Sequence, residues 1–98
     1  MTPLGKLYEG GRGLGGAQVT VDGRPLDPRF DVQAFSPMGF EWTYEGDAPR
    51  QLALALLCDH LGDPARALAL TERFMREVVA ELDNAWELTS EDIAAAIA

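Results

Sequence analysis

Arg50, Arg29 and Arg24 are the side chains from which this sequence could assemble a binding site, with Trp42 and Tyr44 as its ring partners. Guanidinium groups match phosphate oxygens in bidentate geometry, and aromatic faces stack on planar ligands. Arg50 falls in the first turn of an expected helix, where free N–H groups and the helix dipole favour an anion. Arg29 and Arg24 precede it in a loop and a short strand. The expectation is that they converge with Arg50 on a small anionic ligand, while Tyr44 or Trp42 stacks on its ring. The competing expectation is that Arg50 and Arg29 pair with Glu45, Asp47 or Asp31 at the surface, where ion pairs contribute little.

Other chemistry is poorly supported. Gly11-Arg12-Gly13-Leu14-Gly15-Gly16 matches G-x-G-x-x-G, but a dinucleotide fingerprint needs a strand before it and a helix after it. Here the run leads into Ala17–Val21, which reads as a strand, so residues 10–16 are expected to be a flexible loop. Asp59, His60 and Asp63 do not make a metal site by spacing: on an ideal helix His60 points about 100° away from Asp59. A single histidine in the chain also leaves no His-paired nucleophile. Glu72, Glu77 and Glu81 read as a solvated helix face. The expectation is a non-enzyme with no cofactor and no metal.

Composition narrows the partners. A net charge of −8 argues against duplex DNA or RNA and against an anionic membrane, both of which need a basic surface. What remains is a local pocket built from Arg12, Arg24, Arg29 and Arg50. Cys58, the single cysteine, sits in an apolar helical run and reads as a buried thiol. The opening MTPLGKLYEG has no apolar h-region, and the longest apolar run, Leu52–Cys58, is too short to span a bilayer. A cytoplasmic location is therefore expected. Ninety-eight residues with 47% hydrophobic content fit one domain, 1–98, with a small core. Such a core favours a homo-oligomer, most simply a dimer.

The elements that must position these residues follow from periodicity and punctuation. Residues 4–9 read as a short strand, followed by Ala17–Val21. Asp22-Gly23 signals a hairpin turn into Arg24-Pro25-Leu26, and Pro25 implies that the return strand is short or at an edge. Residues 27–38 read as irregular. Gly39–Tyr44 gives the strongest strand signal, with Phe40, Trp42 and Tyr44 alternating on one side. A first helix is predicted from Ala48 to Leu61, capped by Asp47 and stopped by Gly62. Asp63-Pro64 opens a second, running to about Leu82 with Ala67, Leu70, Phe74, Val78 and Leu82 inward. Trp86-Glu87-Leu88 is an extended link, and Thr89 with Asp92 resembles a capping box for a last helix through Ile97. The expected class is α+β: a small antiparallel sheet of three or four short strands against two main helices and a short C-terminal one. Trp42 and Leu56 are expected to share its core.

The run Ser36-Pro37-x-Gly39-Phe40-Glu41-Trp42, then Tyr44-x-Gly46-x-x-Pro49-x-Gln51 and Leu52–Leu57, resembles a family of small uncharacterised proteins of bacteria, plasmids and phages, catalogued as a domain of unknown function. The likeness extends upstream over Val19–Arg29. Downstream it takes in Asp63, Ala67, Phe74, Val78-Val79, Leu82, Trp86-Glu87-Leu88 and Ile93. This chain departs from the pattern with Phe35 in place of His, Thr43 in place of Gly, and Gly46-Asp47-Ala48-Pro49 in place of Gly-Ser-Gly-Pro. The resemblance implies a cytoplasmic protein associated with mobile elements.

By analogy with small phage proteins that act stoichiometrically, the leading expectation is a binding protein that sequesters a small anionic, nucleotide-like ligand, as a sponge for an immune signal. The alternative is a protein–protein interaction module that engages a host protein through an acidic helical face. The sponge would show arginines and aromatics converging in a closed pocket. The module would show an open apolar or acidic patch.

Overall fold

Asp22-Gly23 makes the hairpin turn that its residue types signal. Both have positive φ, 50° and 83°, in the computed structural model of the chain, which describes residues 5–98. The turn joins β2 (Gly16–Val21) to β3 (Arg24–Pro25), and β2 also pairs with β1 (Leu7–Gly13). A last strand, β4 (Trp86–Thr89), adds to the far side of β1, giving one antiparallel sheet in the order β3-β2-β1-β4. The α+β class is thus as expected, and the extended link at Trp86 is a true strand.

Two local expectations need correction. The glycine-dense run 10–16 is not a flexible loop: β1 continues through it to Gly13 and turns back at Leu14-Gly15, with Gly13 opposite Gly16. Glycine is a poor strand former on its own, but a partner strand and the side chain of Arg12 hold this one down. The strand foreseen at residues 4–9 therefore begins at Leu7 and runs longer, and Leu4 lies outside the described residues.

Gly39–Tyr44 is the second correction. It is irregular, because its backbone donors go to separate elements instead of to one neighbouring strand: Glu41 N–H to Ala48 O at 3.4 Å and Thr43 N–H to Val79 O at 3.2 Å. Gly39 and Thr43 have φ of 102° and 82°. Of the three alternating aromatics only Trp42 is fully buried, Phe40 is half-buried and Tyr44 is half-exposed. A β-branched residue in the left-handed region stores about 1–3 kcal/mol of strain. Thr43→Gly is therefore expected to stabilise the protein by about 1 kcal/mol, after the extra unfolded-state entropy of glycine is subtracted. Urea titration checks this, and a lowered midpoint would mean that the threonine side chain repays its strain.

The helices lie near their expected bounds. α1 (Asp47–Leu61) is buried all along Gln51–Cys58 and ends on Gly62, whose φ of 66° and N–H to Cys58 O close the last turn. Gly46, not Asp47, is its N-cap, and no side chain caps it. Asp47 is drawn away because its carboxylate bonds Arg50 Nη1 at 3.0 Å. α2 (Pro64–Glu77) starts as expected, with Asp63 accepting from Arg66 N–H, and then tightens into a 3-10 turn at Val79–Glu81. Its buried positions include Thr71 and Met75 besides Ala67 and Phe74. α3 (Ser90–Ile97) opens on the Thr89–Asp92 capping box, with both reciprocal bonds made. Trp42 and Leu56 share one core with Tyr8, Trp86 and Ile93 among the described residues. Among the described residues no helix is long and apolar enough to cross a membrane.

Between β3 and α1 the chain runs some twenty residues without regular structure, and one side chain organises it. Gln51 is fully buried on α1. Its Oε1 accepts from Phe35 N–H at 2.7 Å and Ser36 N–H at 3.1 Å, while its Nε2 donates to Pro28 O at 2.7 Å and Gln33 O at 3.0 Å. The amide thus does for this loop what a partner strand does for a strand.

Candidate functional site

The arginines named from the sequence sit in separate settings. Arg50 holds Glu72 through two bonds, Nε to Oε1 at 2.6 Å and Nη2 to Oε2 at 3.1 Å, and also bonds Asp47. Its hydrogen bond to Glu72 raises the guanidinium pKa and lowers that of the carboxyl. Arg29 is bidentate on Asp31, at 3.0 and 3.2 Å, and the bond to it draws the Asp31 pKa down. Arg24 stands exposed on β3. Trp42 is buried with its Nε1 donating to Asn84 O at 3.1 Å, so its ring offers no free face. Tyr44 is half-exposed.

Asp59, His60 and Asp63 go to three different tasks. Asp59 accepts from Tyr8 Oη at 2.7 Å and from Lys6 Nζ at 3.0 Å. Burial, reinforced by the hydrogen bond to Asp59 and its charge, holds the Tyr8 phenol well above its ordinary pKa. His60 is half-buried at the end of α1, and burial lowers its pKa. Asp63 caps α2. Cys58 is buried, and that burial, more than the nearby Asp31 and Asp27, pushes its thiol up.

Arg12, from the glycine-rich run, does more than its motif suggested. Its Nη2 bonds Glu41 Oε1 at 2.6 Å and Trp42 O at 3.2 Å, and Nη1 bonds Asn84 Oδ1. Its guanidinium carbon lies 4.6 Å from the Trp42 ring centroid, a cation–π contact. Arg12 thereby fastens the β1–β2 hairpin to the irregular segment and neutralises Glu41.

That fastening leaves a groove along the outer edge of β2. One cleft, of about 460 Å³, lies between Gly15–Ala17 of the hairpin and the Phe30, Met38 and Phe40 side of the loop. A second, of about 400 Å³, continues past Val19 to Pro25 and shares Ala17 and Phe40 with the first. β3 covers β2 only at Thr20 and Val21. Asp22 N–H bonds Leu7 O across the hairpin, and Leu26 N–H bonds Val19 O on the other side. Antiparallel alternation then turns the N–H and C=O of Ala17 outward, toward the groove. No backbone partner meets them there among the described residues.

The rim of this groove is apolar. Met38 is 91% exposed and Phe30 43%; Leu14, at the hairpin tip and outside the lining of both clefts, is exposed in full. Among the described residues Glu41 is the one charged side chain lining either cleft, and Arg12 already holds it. Sequence reasoning missed the groove because no local pattern sets Ala17–Val21, read as a strand, beside residues 27–38, read as irregular, and Gly39–Tyr44, misread as a strand. The one available signal was apolar Leu14 and Met38 inside turn-rich segments.

A model described as a family of unknown function, DUF6166, matches residues 8–98. No curated protein and no solved structure matches the chain.

Proposed function

The chain belongs to the DUF6166 family of unknown function, and we propose that it is a non-enzymatic protein–protein interaction module that takes up an extended segment of a partner protein along the open edge of β2. The observation that carries this reading is the outward-facing backbone of Ala17 in an apolar-rimmed groove. Strand addition draws affinity from main-chain hydrogen bonds and specificity from side-chain pockets, and the groove offers both. The resemblance to mobile-element proteins makes a host protein the expected partner. The acidic face of α2 is a weaker candidate surface, because Glu72 and Glu77 are held by Arg50 and Arg73.

Sequestration of an anionic, nucleotide-like ligand has less geometric support. Arg50 and Arg29 would first have to leave their carboxylates, and the Trp42 ring is enclosed.

Panning a display library of random linear peptides on the protein tests the module. The expected binders alternate apolar residues, and they lose affinity at least tenfold for Ala17→Pro, which removes the outward N–H. Failure to enrich any peptide, or binders indifferent to Ala17→Pro, would overturn the reading. A thermal shift with nucleotides but none with selected peptides would favour sequestration instead.

A further inference from the structure

We propose that a second copy of this chain occupies the groove in the resting protein, the two β1–β2 hairpins pairing antiparallel along β2 about a two-fold axis at Ala17. This deepens the strand-addition reading above and rests on it: the same edge that accepts a partner segment accepts itself.

Self-complementarity is the first support. A two-fold interface uses one patch on both subunits, so each projection must find its hole on the other copy. Antiparallel pairing centred on Ala17 lets the N–H and C=O of that residue on each copy bond their counterparts. In the same register Gly16 comes opposite the other copy's Gln18, where the free edge ends because Leu26 and Pro25 hold that copy's Val19 and Thr20, and the Leu14-Gly15 turn is set against the end of its β3. There Val19, Pro25 and Phe40 line the 400 Å³ cleft. Leu14, fully exposed in the single chain, thus gains an apolar seat, and the cleft gains an occupant.

Charge supplies the second support. Two copies of a chain with net charge −8 repel wherever their acids approach. Gly13 through Val19 carry no charged side chain, and Glu41 beside them is countered by Arg12 at 2.6 Å. The hairpin edge is therefore a face on which two acidic molecules can meet without opposing unpaired carboxylates.

The third support is the edge itself. Exposed strands are ordinarily blunted by charge, proline or a bulge. Pro25 does this for β3, but Gly16-Ala17-Gln18 has no such guard. An unguarded edge beside an apolar groove is a template for pairing, and a second copy is the partner always present.

Sedimentation velocity on the full chain, from tens to hundreds of micromolar, tests the proposal. The expected species has twice the 10.6 kDa mass of one chain. Leu14→Asp is expected to weaken the dimer at least tenfold and Ala17→Pro to abolish it. At protein concentrations where the parent is monomeric both variants should keep its urea midpoint, since the Leu14 side chain is in solvent and the Ala17 N–H has no partner among the described residues; where the parent is dimeric, its midpoint should rise with concentration more steeply than theirs. A single-chain species throughout the range, or a dimer that survives Leu14→Asp, would overturn the proposal. Peptide binding separates the two readings. Leu14→Asp leaves the β2 edge intact and should bind selected peptides at least as tightly as the parent, because no copy competes. A monomeric parent that binds peptides would leave the module standing and remove the dimer. A Leu14-dependent dimer whose dissociated form takes no peptide would do the reverse.

Discussion

Gln51→Leu is expected to lower the unfolding free energy by about 3 kcal/mol or more. Leucine is close in size and apolar, so packing alone would tolerate it at a fully buried position on α1. The loss comes from what glutamine holds: the N–H groups of Phe35 and Ser36 and the carbonyls of Pro28 and Gln33. Each buried polar group left without a partner costs about 1–3 kcal/mol, and these four are distributed along the loop that walls the groove. Urea unfolding gives the magnitude. Hydrogen exchange at Phe35 and Ser36 should accelerate beyond what the global loss accounts for, and peptide binding should fall with it.

Gln51→Glu sharpens the same argument. It keeps an acceptor for the two N–H groups but sets a carboxylate oxygen against the carbonyls of Pro28 and Gln33. That environment raises the folded-state pKa of the new carboxyl above its unfolded value. The folded state then binds the proton more tightly, so the variant becomes more stable as pH falls and less stable as pH rises through that window. A Gln51→Leu protein as stable as the parent, with unchanged exchange, would show that the loop is held by its apolar contacts alone.

The second large effect is expected from one added methyl. Gly10→Ala should cost about 3 kcal/mol, against the gain of about 0.5–1 kcal/mol that replacing a strand glycine normally brings. A Cβ at Gly10 falls inside the indole of Trp86, against Cε2, Nε1 and Cζ2. The ring has little room to yield: it is buried, and it stands edge-on to Trp42 at a centroid distance of 5.7 Å and 85°. Trp42 is in turn fixed by Asn84 O and covered by the Arg12 guanidinium. Gly10, Trp86, Trp42 and Arg12 form one stack through the junction of sheet and loop. In a Trp86→Leu background, where the smaller side chain vacates the space over Gly10, the alanine penalty should shrink by more than 1 kcal/mol. That coupling is what a double-mutant cycle measures. A stabilising Gly10→Ala would mean that Trp86 can move freely and that the stack does not anchor the hairpin.

Local signals were sufficient wherever one short segment carries both the cause and the effect. Asp22-Gly23 at its hairpin, Gly62 ending α1, Asp63-Pro64 opening α2 and the Thr89–Asp92 box opening α3 all act within a few residues. The helical periodicity of residues 48–61 and of the second helix, expected to about Leu82 and ending at Glu77 before a 3-10 turn, and the α+β order followed from the same short-range physics. Beyond that range, tertiary partners decided the outcome. The alternation of Phe40, Trp42 and Tyr44 looks like a strand, yet Thr43 N–H and Trp42 Nε1 find partners near residues 79 and 84, far along the chain. Gly10–Gly13 looks like a loop, yet cross-strand pairing, the indole of Trp86 and the reach of Arg12 make it a strand. Arg50 was legible as a helix-start cation, but its pairing with Glu72 depends on α2 packing alongside α1. The groove depends on tertiary structure most of all. Its walls come from residues 15–19 and 28–41, brought together by the buried Gln51 amide and by Arg12. A pattern confined to neighbouring residues does not encode which distant backbone groups a single side chain will gather.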